Sequence, residues 1–274
     1  MPPEVSSQEL EFYPIERMLL VGPLADVKPL ANRAVAAGHT VALMIPESEI
    51  EGAETTHRVL AAGEAVGEDE FDVVLELHCV DIEAKAEALL YLEDALSESV
   101  PILTLTLSIS TGELTREMLI PERVVGVCML PPFGESKFVE IMATPHTDRA
   151  ALRTSERLFE SMSLATTVVA DSPGGVLART VCCLVNEAAL ALQERIAAPE
   201  DIDQAMRLAA GLPHGPLAWG DRIGLDRALA VMEGLYAEFK EERYRPAPLL
   251  KRLVRAGHTG MSKGQGFFAY ATIS

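Results

Sequence analysis

The stretch that decides the fold runs from Asp171 to Ile196 and reads DSPGGVLARTVCCLVNEAALALQERI. Asp171 or Ser172 can cap free backbone N–H groups and Pro173 suits a first helical position, so a helix is predicted from there. Its polar residues come in pairs, Arg179 with Thr180, Asn186 with Glu187, and Gln193 with Glu194. On a helix that spacing draws one narrow polar stripe, and the rest of the circumference is expected to be buried. A chain of this size does not surround a helix so fully by itself. The stretch therefore reads as the centre of an all-helical second half, shared with a second subunit. Before it, strand and helix patterns alternate; after it, the patterns are helical only.

Composition narrows the partners. A net charge of −18 argues against nucleic acid or an anionic membrane surface, which need a basic face. No apolar run reaches the roughly 18 residues of a membrane span. The opening MPPEVSSQELEFYPIE is acidic and polar, unlike a signal or transit peptide, and residues 1–16 are expected to form a flexible tail. Cys79, Cys128, Cys182 and Cys183 show no metal-ligand spacing, and neighbours such as Cys182 and Cys183 make poor disulfide partners. Reduced, buried thiols in a cytoplasmic protein are the expectation.

From the tail onward, strands are predicted at 17–21, 40–45, 72–77, 101–106, 124–130, 137–142 and 166–170. Helices are predicted at 29–37, 51–62, 82–96 and 148–162. This alternation implies a doubly wound, mostly parallel sheet over residues 17–170. Over 171–274 the pattern gives helices at 199–209, 216–223, 226–240 and 248–256. The Gly-rich ending GMSKGQGFFAY follows, with aromatics expected to pack back on the chain.

The first strand ends at Gly22, and Gly22-Pro23-Leu24-Ala25-Asp26-Val27 occupies the place of a dinucleotide-binding turn. Only the first glycine of GxGxxG is present. Leu24 and Val27 put side chains where backbone should approach a pyrophosphate and a strand, and Asp26 adds a negative charge. Ile45 stands where a ribose-binding acid is expected. Elsewhere, Cys128 near Glu140 could be a nucleophile, but a carboxylate raises a thiol pKa and a small buried side chain is the plainer reading. His214 reads as a turn residue, and Trp219 as core or interface.

Over almost its whole length the chain resembles the 3-hydroxyacyl-CoA dehydrogenase family. The resemblance rests on DSPGGVLAR, LVNEAALAL, PEDIDQAMRLAAGLPHGPLAW, YRPAPLLKRLVRAG and GFFAY in the second half. DVVLELHCVDIEAK and GVCMLPPFGESKFVEI carry it in the first. It implies a Rossmann-like sheet domain, a helical dimerisation domain, NAD, and oxidation of (S)-3-hydroxyacyl-CoA to the 3-ketoacyl-CoA. It also implies a catalytic segment His-x-x-Asn-Pro followed by a Glu. Here the matching positions are Cys128, Pro131 and Glu140, and the family's Asn-Arg pair becomes Ala178-Arg179. The family serine falls near Ser108, with Ser110 close by, and a lysine beside the cofactor falls at Lys85, preceded by Val80 in place of an acid. The interval from Ile45 to Glu76 is shorter than the resemblance leads one to expect, for lack of a helical hairpin that helps to hold the CoA arm.

A thiol at Cys128 cannot act as the imidazole base does. Two readings follow. In the first, the chain is a catalytically impaired family homologue kept for binding or for pairing, as a homodimer or with an active relative, through 171–274. In the second, it is a working NAD-dependent dehydrogenase with a rearranged site. The site residues are Ser108, Cys128 and Glu140 for catalysis, and Gly22 and Lys85 for the cofactor, with no metal. NAD is the cofactor the resemblance implies, expected to bind weakly or not at all, and acyl-CoA is the ligand class it implies.

Overall fold

A computed structural model describes residues 14–271. Most of the tail expected at 1–16 lies outside the described residues. Eight strands form one sheet in the order β3-β2-β1-β4-β5-β6-β7-β8. They are β1 (Arg17–Val21), β2 (Thr40–Ile45), β3 (Arg58–Ala61), β4 (Val73–Glu76), β5 (Ile102–Leu105), β6 (Val124–Cys128), β7 (Phe138–Ala143) and β8 (Ala165–Ala170). Every neighbouring pair is parallel except β6 with β7. Alternation in β1 explains the layers. Met18 and Leu20 face one core and Leu19 and Val21 the other, and all four are buried. Helices α1 (Leu24–Ala36), α2 (Ile82–Ala95), the short α3 (Thr111–Leu114) and α4 (Arg149–Ser161) flank the sheet.

Two elements differ from the sequence pattern. Helix α1 starts at Leu24, ahead of Pro29, because Val27, Leu30, Ala31 and Ala34 form one buried stripe that carries the helix through the proline. The helix expected at 51–62 is instead a 3-10 turn, Glu47–Gly52, followed by β3. The open edge of β2 offers backbone partners to the Val59 and Leu60 stretch, and that pairing overrides the local helical preference.

The second half has α5 (Leu177–Gln193), α6 (Pro199–Ala210), α7 (Pro216–Ile223), α8 (Leu225–Phe239) and α9 (Pro248–Arg255). Helix α5 begins later than expected, because Gly174 and Gly175 take positive φ (68° and 49°) and hold residues 173–176 as a turn. Asp171 does not cap α5. It accepts the N–H groups of Thr111 and Gly112 at 2.9 Å each and so caps α3.

Much of α5 is covered within the chain. Helices α6, α7, α8 and α9 of the same chain all pack on it, and Leu184 and Leu192 are half-buried. Only Thr180, Glu187 and Glu194 of the polar stripe are exposed. Asn186 is buried, accepting Ala247 N–H at 2.7 Å and donating to the Arg245 carbonyl at 3.1 Å, which fixes the start of α9.

Asp221 on α7 anchors the Gly-rich ending. Its buried carboxylate accepts Phe267 N–H at 2.8 Å, Phe268 N–H at 2.9 Å and Tyr270 O–H at 3.0 Å. Gly266 makes this possible, since a Cβ there would lie 2.0 Å from the Asp221 oxygen. Hydrogen bonds to a charged group contribute about 1.5–3 kcal/mol each, less the desolvation of the acid. Asp221→Ala is therefore expected to lower the unfolding free energy by about 2–3 kcal/mol in urea titrations. A loss below about 0.5 kcal/mol, the range of ordinary surface changes, would contradict this.

Candidate active site

Three strand ends meet the Pro173–Val176 turn. Thr106, just past β5, accepts Gly174 N–H at 3.0 Å. Cys128, the last residue of β6, places its Sγ 3.4 Å from the Gly174 carbonyl. Glu140 in β7 stands directly opposite Cys128 in the antiparallel register. Its carboxylate accepts Val176 N–H at 3.0 Å and Leu177 N–H at 3.1 Å, so it caps the first turn of α5. Gly175 leaves the space, because a Cβ there would lie 2.4 Å from the Glu140 oxygen. Cys128 and Ala178 are completely buried and Glu140 nearly so. Burial, reinforced by Glu140, drives the Cys128 thiol far above its ordinary pKa. It is a packed neutral thiol, which removes the nucleophile reading.

Ser108 lies two residues beyond Thr106, its hydroxyl donating to the Cys79 carbonyl at 3.3 Å. Helix α8 presses on it so closely that a Cβ at Gly234 would come within 1.8 Å of the Ser108 carbonyl oxygen. The structure thus brings Cys128 and Glu140 to one turn, where each helps to hold it to the sheet, while Ser108 bonds to the Cys79 carbonyl and packs against α8 instead. Arg179 is stacked on Phe239 and Tyr244, 4.7 and 5.0 Å from the ring centroids.

The second cluster sits at the carboxyl ends of β1, β2 and β4. Gly22 has φ 140°, and a Cβ built on it would lie 3.4 Å from the Leu77 backbone, so it fits the close approach a dinucleotide turn needs. Next to it is a slot of about 320 Å³ lined by Val21, Met44, Ile45, Ala62, His78 and Tyr91. Ile45 forms apolar wall there, where a ribose-binding acid was sought. A dinucleotide held at Gly22 would have this slot for its adenine and the Leu24 N–H, which here donates to Glu49 Oε2 at 2.6 Å, for its pyrophosphate. Asp26 does not leave a bare charge beside that position. Arg227 of α8 binds both its oxygens, at 2.6 and 2.7 Å. Burial nevertheless holds the Asp26 carboxyl above its ordinary pKa, with Arg227 pulling the other way.

Lys85 needs correction as a cofactor residue. Its Nζ is buried, pairs with the Glu76 carboxylate and donates to Thr104 Oγ1 at 2.9 Å. Glu76 also accepts His78 Nδ1–H at 2.8 Å. Burial opposes ionisation of Glu76, but Lys85 and His78 together hold its pKa below the ordinary value. A charge so deep must be paired, and Lys85 is drawn inward to do it. The signal in the sequence was a lone acid inside the apolar run DVVLEL. Among the described residues no cluster of His, Cys, Asp and Glu could hold a metal ion, and no helix is long and apolar enough to cross a membrane.

The strand order around β1, with a glycine at its end and a helix following, defines a dinucleotide-binding α/β protein. The chain belongs to the 3-hydroxyacyl-CoA dehydrogenase family. The family's NAD binding domain matches residues 30–172 and its C-terminal domain residues 174–270. NAD is thus the cofactor that goes with the sheet-bearing half. The match begins inside α1, after the turn at Gly22–Val27. A 3-hydroxybutyryl-CoA dehydrogenase of Clostridioides difficile is 34% identical over 201 residues, 73% of this chain and 72% of that one. Another from Bradyrhizobium diazoefficiens is 32% identical over 213 residues, 78% and 73% of the two chains. A crystal structure of the (S)-3-hydroxybutyryl-CoA dehydrogenase from Ralstonia eutropha superposes with a TM-score of 0.77 at 28% identity, covering 94% of this chain and all of that one.

Cys183 is the one half-buried thiol of the four; the other three are buried. Burial raises Cys79 to about 12 and Cys182 further still. With a disulfide reagent at pH 8, at most one thiol per native chain is expected to react, and Cys183→Ser should remove that reaction. Fast modification of Cys128 in the folded protein would contradict the packing described.

Proposed function

We propose that the chain is a family homologue whose dehydrogenase chemistry is impaired and which serves in binding or pairing. One observation carries this: the position of the imidazole base is a neutral, fully buried Cys128 thiol against the Gly174 carbonyl. The acid that would orient a base, Glu140, is already bound to α5 backbone N–H groups. NAD, when bound, supplies a hydride acceptor. The chain's own part is to remove the hydroxyl proton, and the residue at the base position is a neutral thiol unsuited to it. Losing a general base costs about 10²–10⁴ in rate, and Ala178 removes a substrate-holding amide besides.

The second reading, an active NAD-dependent enzyme oxidising (S)-3-hydroxyacyl-CoA by a rearranged site, draws support from the dinucleotide-shaped cradle at Gly22 and the adjoining slot. Reduction of acetoacetyl-CoA by NADH separates the two. The expected rate is at least about a thousandfold below an ordinary turnover of about 10 s⁻¹. Turnover near that ordinary rate would end the impaired reading.

The proposal includes two domains, 17–170 and 171–274, and a cytoplasmic setting supported by four free cysteines. It also includes pairing through the second domain. Val176, Ile196 and Leu208 are 60%, 71% and 75% exposed there, which supports a homodimer or a dimer with an active relative. Ile196→Asp with Leu208→Asp is expected to shift the sedimenting species from dimer to monomer without unfolding. Wild-type protein sedimenting as a monomer, with no relative copurifying, would contradict pairing.

A further inference from the structure

The segment after β2 lies along one face of α1. Leu24, Lys28 and Asn32, spaced one turn apart on that helix, each hold a different part of it. Leu24 N–H donates to Glu49 Oε2 at 2.6 Å, Lys28 Nζ donates to the Glu54 carbonyl, and His57 Nε2–H donates to Asn32 Oδ1 at 3.0 Å. The segment is a strap fastened at three points, and its first fastening lies at the N-terminus of α1.

That fastening uses a scarce donor. In a dinucleotide turn the residues after the first glycine offer N–H groups to the pyrophosphate. Pro23 has none. The N–H groups of Asp26 and Val27 turn back on the Pro23 carbonyl, at 2.9 and 3.1 Å. Leu24 therefore carries the first donor of the turn, and Glu49 has it. The carboxylate is also the anion that the positive end of the helix favours. Asp26, by contrast, is neutralised by Arg227 and adds no unpaired charge.

We infer that the strap over residues 46–57 holds Glu49 in the place of the cofactor's pyrophosphate, so that NAD binds only when the strap lets go. This rests on the reading of the Gly22 cradle as the chain's NAD site. The carboxylate is an anion tethered beside its own site, and a tethered group competes at an effective concentration in the millimolar range. Pro46, at the very start of the strap, is its one residue lining the adenine slot, and none of the three fastenings involves the slot's walls, so adenine is not in competition with Glu49.

The test compares wild type with Glu49→Gln and Glu49→Ala in titrations of NADH fluorescence, with ADP and adenosine as further probes. Both variants are expected to bind NADH and ADP about tenfold tighter, a change of about 1.4 kcal/mol, and to leave adenosine affinity unchanged. Lys28→Ala with Asn32→Ala, which frees the strap and keeps Glu49, is expected to tighten NADH in the same direction by a smaller factor. Equal or weaker NADH binding by the Glu49 variants overturns the inference, as does tightening of adenosine along with ADP, or no NADH binding by any of the proteins at millimolar concentration. Thermal melts check that each variant is folded. If a Glu49 variant melts below the titration temperature, the Lys28 and Asn32 variant decides alone, and unchanged affinity there overturns the inference. The turnover of wild type is a separate measurement. A working enzyme would remove the impaired reading and leave the comparison of affinities to decide the strap.

Discussion

The carboxylate of Glu140 is the joint on which the two halves of the molecule depend. It lies in the sheet, in β7, yet its oxygens are spent on Val176 and Leu177 N–H, the first free donors of α5. Charged hydrogen bonds of this kind contribute about 1.5–3 kcal/mol each, and burial protects them from solvent screening. Gly175 has no side chain so that the acid can reach, and Gly174 bends the turn so that its N–H meets the Thr106 carbonyl. Helices α6 to α9 then build on α5. A residue committed to this joint is not available to steady a catalytic imidazole, and the residue opposite it is a thiol. Structural anchorage and the thiol at Cys128 thus belong to the same few atoms.

The cradle at the other end of the sheet shows the same economy of charge. Asp26 is matched by Arg227, Glu76 by Lys85 and His78, and the Leu24 N–H by Glu49. Breaking one partner of a buried ion pair is far more costly than the pair is favourable, so Asp26 with Arg227 and Glu76 with Lys85 persist as units, whereas the part-buried contact of Glu49 with the Leu24 N–H can open. Asp26 with Arg227 also ties α1 to α8 across the two halves. Around Gly22, then, Asp26, Glu76, Lys85 and the Leu24 N–H are all engaged within the chain.

The architecture was legible where a pattern spans a whole element. The apolar runs of β1, β2, β4, β5 and β6 and the helix starts at Pro199, Pro216 and Pro248 stand where periodicity placed them. Legibility failed where a distant neighbour decides. Residues 51–62 have helical composition but border an open sheet edge, and β pairing prevails. Asp171 and Pro173 look like a helix start, yet the cap comes from Glu140, distant in sequence. Residues Ser108, Cys128 and Glu140 were readable as one site through the family resemblance, and the structure sets Cys128 directly opposite Glu140, with Ser108 bonded to the Cys79 carbonyl. Their present bonds, and the inward turn of Lys85, depend on packing that sequence spacing does not encode. Glu49 was invisible for the same reason, since nothing local ties it to Leu24.

The claim that this chain has lost its base is tested most directly by a single-turnover experiment. Enzyme in excess is mixed with acetoacetyl-CoA and NADH deuterated at C4, and deuterium in the 3-hydroxyacyl product is followed by mass spectrometry. Because substrate is limiting and each molecule reacts once, product release cannot hide the chemical step. The account predicts transfer slower by at least about a thousandfold than an ordinary enzymatic step of about 10 s⁻¹. Transfer completed within a second would contradict it and restore a working dehydrogenase.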